Sequence, residues 1–307
     1  MTRTLTGFLH MMRAAMNPPR LLAALALPAS VLALAACGSS DTKSTSTPAA
    51  AATTTTAADA CRKDGLKTYA SGKLTIATDK PAFPPYFVDD DPTNGKGFES
   101  ATAYAIAKQL GFAPAEVSWK VVPFNSSYAP GAKKFDFDIN QISINAKRKK
   151  AVDFSSPYFN APQAVVVPKG STLTDVKTLA DLKDAQFGVQ VGTTSLDAVT
   201  GTVKPSKQPK VFDDSNAVVQ ALKNKQVDAV VVDLPTAFYL TSAEIPGAKI
   251  IGQFKAPGGD DWGALLPKGS SLTPCVTKAV EAIRTSGELQ RIYDRWLGAA
   301  AGAPELR

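Results

Sequence analysis

Histidine is nearly missing from this chain. His10 is the only one among 307 residues, and it lies in an N-terminal stretch built like a removable export signal. Its removal leaves no histidine for acid–base catalysis, Ser-His triads or metal ligation in the mature protein. Cysteine is scarce too, with three residues, and charged residues make up only 20% of the chain. Lysine and arginine number 34 against 27 acids, but Arg3, Arg13 and Arg20 lie in the same N-terminal stretch. The remaining 31 cations against 27 acids form one knot, Lys147 to Lys150. No patch is dense enough to bind a polyanion, so no nucleic-acid partner is expected. Nothing marks a metal, a cofactor or a catalytic group, and none is expected.

What is present is the composition of a folded protein, 44% hydrophobic and 8% aromatic, in a length that suits two ordinary domains. Residues 1–36 begin basic and acid-free and continue as an apolar run from Leu21 to Ala36, the build of an export signal. The run ends in Leu34-Ala35-Ala36-Cys37, which resembles the lipobox of bacterial lipoproteins, and Cys37 is expected to carry the lipid. A membrane anchor that is never cut is the alternative, disfavoured by Pro28, Ser30 and the shortness of the run. Both readings put the remainder outside the cytoplasm. Residues 38–60 are almost all Ser, Thr, Ala and Gly and have nothing to bury. They read as a tether that holds the next domain within roughly 25 Å of the membrane.

Two cysteines remain, Cys61 and Cys275, and in an oxidising compartment they are expected to pair. The bond would close a loop of about 214 residues, for which the chain-entropy estimate is roughly 5 kcal/mol. Two unpaired buried thiols are the alternative.

From Lys73 onward, short β-branched runs alternate with helical patterns, the signature of α/β architecture. Strands are expected at Leu74 to Thr78, Val117 to Val122, Phe137 to Ile142 and Ala164 to Val167. A helix with Phe98, Ala101, Ala105, Ile106 and Leu110 inward closes at Gly111. A second series starts at Gln186: strand FGVQV, a helix from about Thr194, strand Lys210 to Phe212, and a helix capped by Ser215 with Val218, Val219 and Leu222 inward. The apolar run Asp228 to Asp233 follows, with another helix behind it. Two final helices carry Val276, Ala279, Val280 and Ile283, then Leu289, Ile292, Tyr293 and Trp296, as core faces. Two series of similar size imply two lobes.

The segment DFDINQISINAKRKKAVDFSSPY at 136–158 is the most informative. With TIATDKPAFPPYF at 75–87, GFES at 97–100, GVQVGTTSLD at 188–197 and DAVVVD at 228–233, it resembles the polar-amino-acid solute-binding proteins of ABC importers over about residues 72–298. That resemblance implies a two-lobed periplasmic-binding-protein-like fold, each lobe a mixed sheet flanked by helices, joined by a two-segment hinge. Lobe I would comprise 61–162 with 255–307 and lobe II 163–254, the hinge running near Asn160 to Gln163 and near Gly252 to Pro257.

The same resemblance implies the site. Arg148 matches the arginine that grips a ligand α-carboxylate, a task suited to a planar, always-charged guanidinium. Alone, it would read as a solvated cation of the lysine run. Ser143 matches a second carboxylate contact and Gln141 a backbone carbonyl that accepts from the ammonium. Gly192-Thr193-Thr194 lies between strand and helix, where free amides face an anion; Thr193 and Thr194 would contact the carboxylate from lobe II, or serve as an ordinary cap with the same amides. Asp233 matches the partner of the α-ammonium, and a helix-capping Asp is the alternative. Phe83 and Tyr86 would flank the ligand side chain, or pack within their loop. Asp79 stands one residue further from Phe83 than in the family pattern, which leaves its role open. Asn125 and Gln190 would line the cavity, and Glu99 reads as a first-turn helix acid. Asn145-Ala146 stands where Thr-Glu is common, which removes a cap near Arg148, and the loop Asp89 to Lys96 is longer than minimal.

The expected protein is thus a lipid-anchored, extracytoplasmic, monomeric receptor. It captures an amino acid, by its cleft a polar one, and closes on it to dock on a membrane permease. Two rivals share the fold. A cyclohexadienyl-dehydratase-like enzyme would need Glu99 or Asp79 as its acid–base group, and a sensor would present the bound ligand to a receptor kinase.

Overall fold

β1 (Leu74–Thr78) is buried at all its positions, as an apolar β-branched run is when strands cover both edges and helices both faces. The computed structural model describes residues 61–298 and 302–307. The signal over 1–36, the lipidated Cys37 and the tether over 38–60 lie outside the described residues. The first sheet also contains β2 (Val117–Val121), β3 (Phe137–Asp138), β4 (Val152–Asn160) and β10 (Asp261–Pro267), in the order β2-β1-β3-β10-β4. β2 and β3 run parallel to β1, whereas β10 is antiparallel to β3 and β4. α1 (Phe98–Gln109), α6 (Thr273–Thr285) and α7 (Glu288–Trp296) pack together on it. Phe98, Ile106, Val276, Val280 and Ile283 meet Leu74, Ile76 and Trp262 in the core.

The second sheet has the order β7-β6-β8-β5-β9, formed by β5 (Gln163–Val167), β6 (Phe187–Gln190), β7 (Lys210–Phe212), β8 (Ala229–Asp233) and β9 (Lys249–Phe254). β6 is parallel to β7 and β8, and β5 is antiparallel to β8 and β9. Its period of two is visible in β5: Val165 and Val167 enter one core, Ala164 and Val166 the other. α3 (Thr194–Ala198), α4 (Ser215–Lys223) and α5 (Leu234–Tyr239) surround this sheet. The chain crosses between the sheets through residues 161–162 and 255–260.

Several expected elements differ. The third strand stops at Asp138, because the chain turns away through Gln141, whose φ is 48°. α4 is capped by Asp214, whose side chain accepts from Ala217 N, and not by Ser215. β4, β9 and β10 are additional strands. β4 alternates poorly in burial and contains Pro157, and its pairing with β10 has two register irregularities, so a period-two pattern is blurred there.

The end of the chain also departs from the expected span 255–307 of the first lobe. Gln253 N donates to Pro304 O at 2.8 Å and Leu306 N donates to Gln253 O at 2.9 Å. Leu306 is buried in the second sheet's core, in the space left by the missing side chain of Gly252. An apolar residue near the terminus thus joins the second sheet. At the other end, the sulfurs of Cys61 and Cys275 are bonded at 2.04 Å, tying the start of the described chain to α6. Among the described residues, no helix is long and apolar enough to cross a membrane.

Candidate functional site

Parallel strands end together, so the residues that follow them converge. Asp79 follows β1, Gln141 and Ser143 follow β3, Thr193 and Thr194 follow β6, and Asp233 ends β8. These six, with Phe83, Tyr86, Arg148 and Gln190, line one cavity between the two sheets. Asn125 does not line it; exposed at the start of α2 (Phe124–Ser127), it accepts the hydroxyl of Tyr128.

Arg148 is 5% exposed, so it is not one of the solvated cations of its run. Its Nη1 donates to Ser143 O at 2.8 Å and its Nη2 to Gly192 O at 3.0 Å. The guanidinium carbon lies 4.6 Å from the Tyr128 ring centre and 5.4 Å from that of Phe124, a cation–π enclosure. Burial pulls its pKa below the ordinary value, opposed by Tyr128, Asp197 and Asp233. The cap expected to be missing is supplied by Asn145 itself, whose Oδ1 accepts from Arg148 N at 2.8 Å.

Gln141 N donates to Glu99 Oε1 at 2.6 Å, and the Gln141 side-chain amide donates to Glu99 Oε2. Glu99 does sit in the first turn of α1, but its carboxylate points inward and is fully buried. Ser143 Oγ and Thr194 Oγ1 lie 3.1 Å apart across the cleft. Thr193 Oγ1 accepts from Leu196 N at 3.2 Å and donates to Gln190 O at 2.8 Å, so it is the cap of α3.

Asp233 occupies the position before α5 without capping it. Its Oδ1 accepts from Gln163 Nε2 at 2.6 Å, and Gln163 Oε1 accepts from Ser195 Oγ at 2.6 Å. Burial pushes the Asp233 carboxyl up to about 7, against the Gln163 hydrogen bond that lowers it. Asp79 accepts from Lys80 N at 2.7 Å and from Phe124 N at 3.1 Å. Burial raises its pKa, with a further rise from the charge of Asp214. Tyr86 is buried, edge-on to Trp262, and its hydroxyl lies 2.8 Å from Thr236 Oγ1 on the opposite side. Gln190 Oε1 accepts from Ser215 Oγ at 2.7 Å.

Phe124, Tyr128, Gln163, Thr236 and Asp214 belong to this site and were not singled out by pattern. Phe124 and Tyr128 stand four residues apart, a spacing that shares a helical face. Gln163 and Thr236 carry no such signal, because their neighbours come from distant strands.

The profile of bacterial extracellular solute-binding proteins, family 3, matches residues 74–299. The L-cystine-binding protein TcyJ of Escherichia coli (strain K12) is 31% identical over 219 residues, 71% of this chain and 80% of that protein. The structure of the arginine-, lysine-, histidine-binding protein ArtJ from Geobacillus stearothermophilus superposes with a TM-score of 0.63 at 30% identity, covering 74% of this chain and 95% of that one. An ancestral arginine-binding protein bound to arginine gives a TM-score of 0.62 at 37% identity, covering 74% and 99%. These relatives are binding proteins in two-lobed α/β folds, and the chain belongs to the bacterial extracellular solute-binding proteins, family 3.

Proposed function

We propose that this protein captures an α-amino acid with a basic side chain and delivers it to an ABC importer from outside the cytoplasm. The observation that carries this reading is that Arg148 and Asp233 line a single cavity from its two sides. Arg148, Ser143, Thr193 and Thr194 would hold the α-carboxylate; Asp233 and the backbone of Gln141 would hold the α-ammonium. A ligand lacking either charge would leave a desolvated ion unpaired, a penalty of about 2 to 5 kcal/mol.

With that pair assigned, the charged groups left in the wall are Asp79, Lys80, Asp214 and Glu244. Lys80 pairs with Asp90 and Glu244 with Lys223, each at 3.3 Å. Asp79 and Asp214 remain, one from each sheet, for a cationic side chain whose stem would run along Phe83. Relatives named for arginine, lysine and histidine support this choice.

Lobe I would comprise 61–162 with 255–298 and lobe II 163–254 with the tail, hinged at 161–162 and 255–260. A lipid on Cys37, a tether over 38–60 and the Cys61–Cys275 bond complete a monomeric, membrane-held receptor. The cleft is read as binding and not catalytic. Glu99 lies outside the wall, and Asp79, held by two N–H groups, is assigned to the ligand side chain.

Thermal unfolding of the mature protein against the twenty amino acids and their decarboxylated and N-acetylated analogues tests this. A ligand at a hundred times its dissociation constant adds about 2.7 kcal/mol, a rise of roughly 5 to 10 °C. Basic amino acids are expected to give that rise and both blocked analogues to fail. No rise with any amino acid, in protein shown to be ligand-free, would sink the reading.

A further inference from the structure

Glu99 is fully buried yet is not part of the cavity wall. Two hydrogens of Gln141, from its backbone and its side-chain amide, converge on the Glu99 carboxylate, joined by the hydroxyl of Tyr158. Gln141 has φ 48°, a left-handed conformation that a non-glycine residue holds only where its surroundings enforce it. Gln141 and Ser143 both face the ligand cavity from this turn, with Ile142 between them fully buried.

We propose that Glu99 is the positioning residue of the ligand-contacting turn: its ionised carboxylate locks Gln141 in the left-handed conformation that aims residues 141–143 into the cleft. This rests on the cleft being an amino-acid site. Three donors and two carboxylate oxygens match; a protonated carboxyl would bring a further hydrogen, and accepting it would take the Tyr158 oxygen or a flip of the Gln141 amide, either of which gives up one of the three hydrogen bonds. The ionisable groups around Glu99 are Tyr158 on β4, Tyr86 after β1, Asp138 on β3 and Asp233 on β8. Burial pushes Glu99 up to about 7, against its three hydrogen bonds, so mild acid reaches it.

Arginine, histidine and cystine are titrated calorimetrically into the wild type, E99Q, Q141G and E99Q/Q141G at pH 8 and pH 6. E99Q is expected to bind about tenfold more weakly at pH 8. Q141G is expected to restore most of that loss in the E99Q background, because glycine adopts positive φ without steric cost. E99Q should also lose up to one unit of the slope of log Kd against pH, leaving the slope due to Asp233. A generic loss of stability would produce neither the rescue nor the change of slope. Wild-type binding with E99Q within twofold at pH 8, or no rescue by Q141G, overturns this assignment alone. Failure of the wild type to bind any of the three overturns the reading of a basic amino-acid ligand and this assignment with it. Should E99Q not fold, Q141G decides: it is expected to be less pH-dependent than the wild type, and an equal slope overturns the assignment.

Discussion

Arg148 Nη2 reaches the carbonyl oxygen of Gly192 at 3.0 Å, joining residues 44 apart in sequence and on opposite sides of the cleft. The approach is possible because residue 192 has no side chain. A Cβ there would collide with Tyr128 Oη and Asn125 Oδ1, and its φ of 73° strains any L-residue. This contact across the cleft therefore uses the same guanidinium that is proposed to hold the ligand.

Gly192→Ala is expected to disfavour the closed arrangement and weaken binding about tenfold or more. Small-angle scattering with saturating arginine should show a larger radius of gyration than for the wild type. Unchanged affinity and radius would remove Gly192 from the closure.

Arg148→Lys is expected to lose most of the affinity, by about 2 to 5 kcal/mol, because an ammonium cannot reproduce a planar fork held between two rings. Calorimetric titration checks it. Near-wild-type affinity for the lysine variant would show that charge alone suffices.

Asp79→Asn should weaken arginine about tenfold while changing glutamine binding little, since only a cationic side chain would engage that carboxylate. Parallel losses for both ligands would instead assign Asp79 to the backbone of Phe124.

The pH response has a definite sign. Burial pushes Glu99, Asp138 and Asp233 each up to about 7 in the folded protein, against about 4 in an unfolded chain. Between those values the folded state binds more protons, so stability falls as pH rises through that window. Unliganded protein should melt higher at pH 5 than at pH 8. A ligand ammonium at Asp233 favours its ionised form, so affinity should rise with pH across 7 and binding at pH 6 should release protons to the buffer. Proton uptake on binding would contradict this.

Cys61→Ser/Cys275→Ser frees a 214-residue separation and should cost about 2 to 5 kcal/mol of stability, with little change in affinity because the bond lies away from the cleft wall. Chemical unfolding and calorimetry on the same sample separate the two effects.

Strands inside each sheet were legible where periodicity was clean. β1 and β8 are short apolar runs whose burial on both faces leaves no alternation to confuse. β4 and β10 escaped because bulges and Pro157 break the pattern. Asp214 took the cap from Ser215 because either residue can accept from the first turn, and only the backbone angles choose between them.

Local pattern and motif order displayed much: an α/β chain with two series of strands and helices, the cysteine pair, and, through the family resemblance its motifs carry, Arg148 and Asp233 as residues that line one cavity. These depend on local pattern and residue chemistry, which a linear chain displays. Only the tertiary structure decided that Glu99 turns inward to Gln141, that Asn125 leaves the wall, that Gln163 supports Asp233 and that Leu306 joins the second sheet. Each of these joins residues distant in sequence, and such contacts are set by chain crossings and strand register that no local window contains.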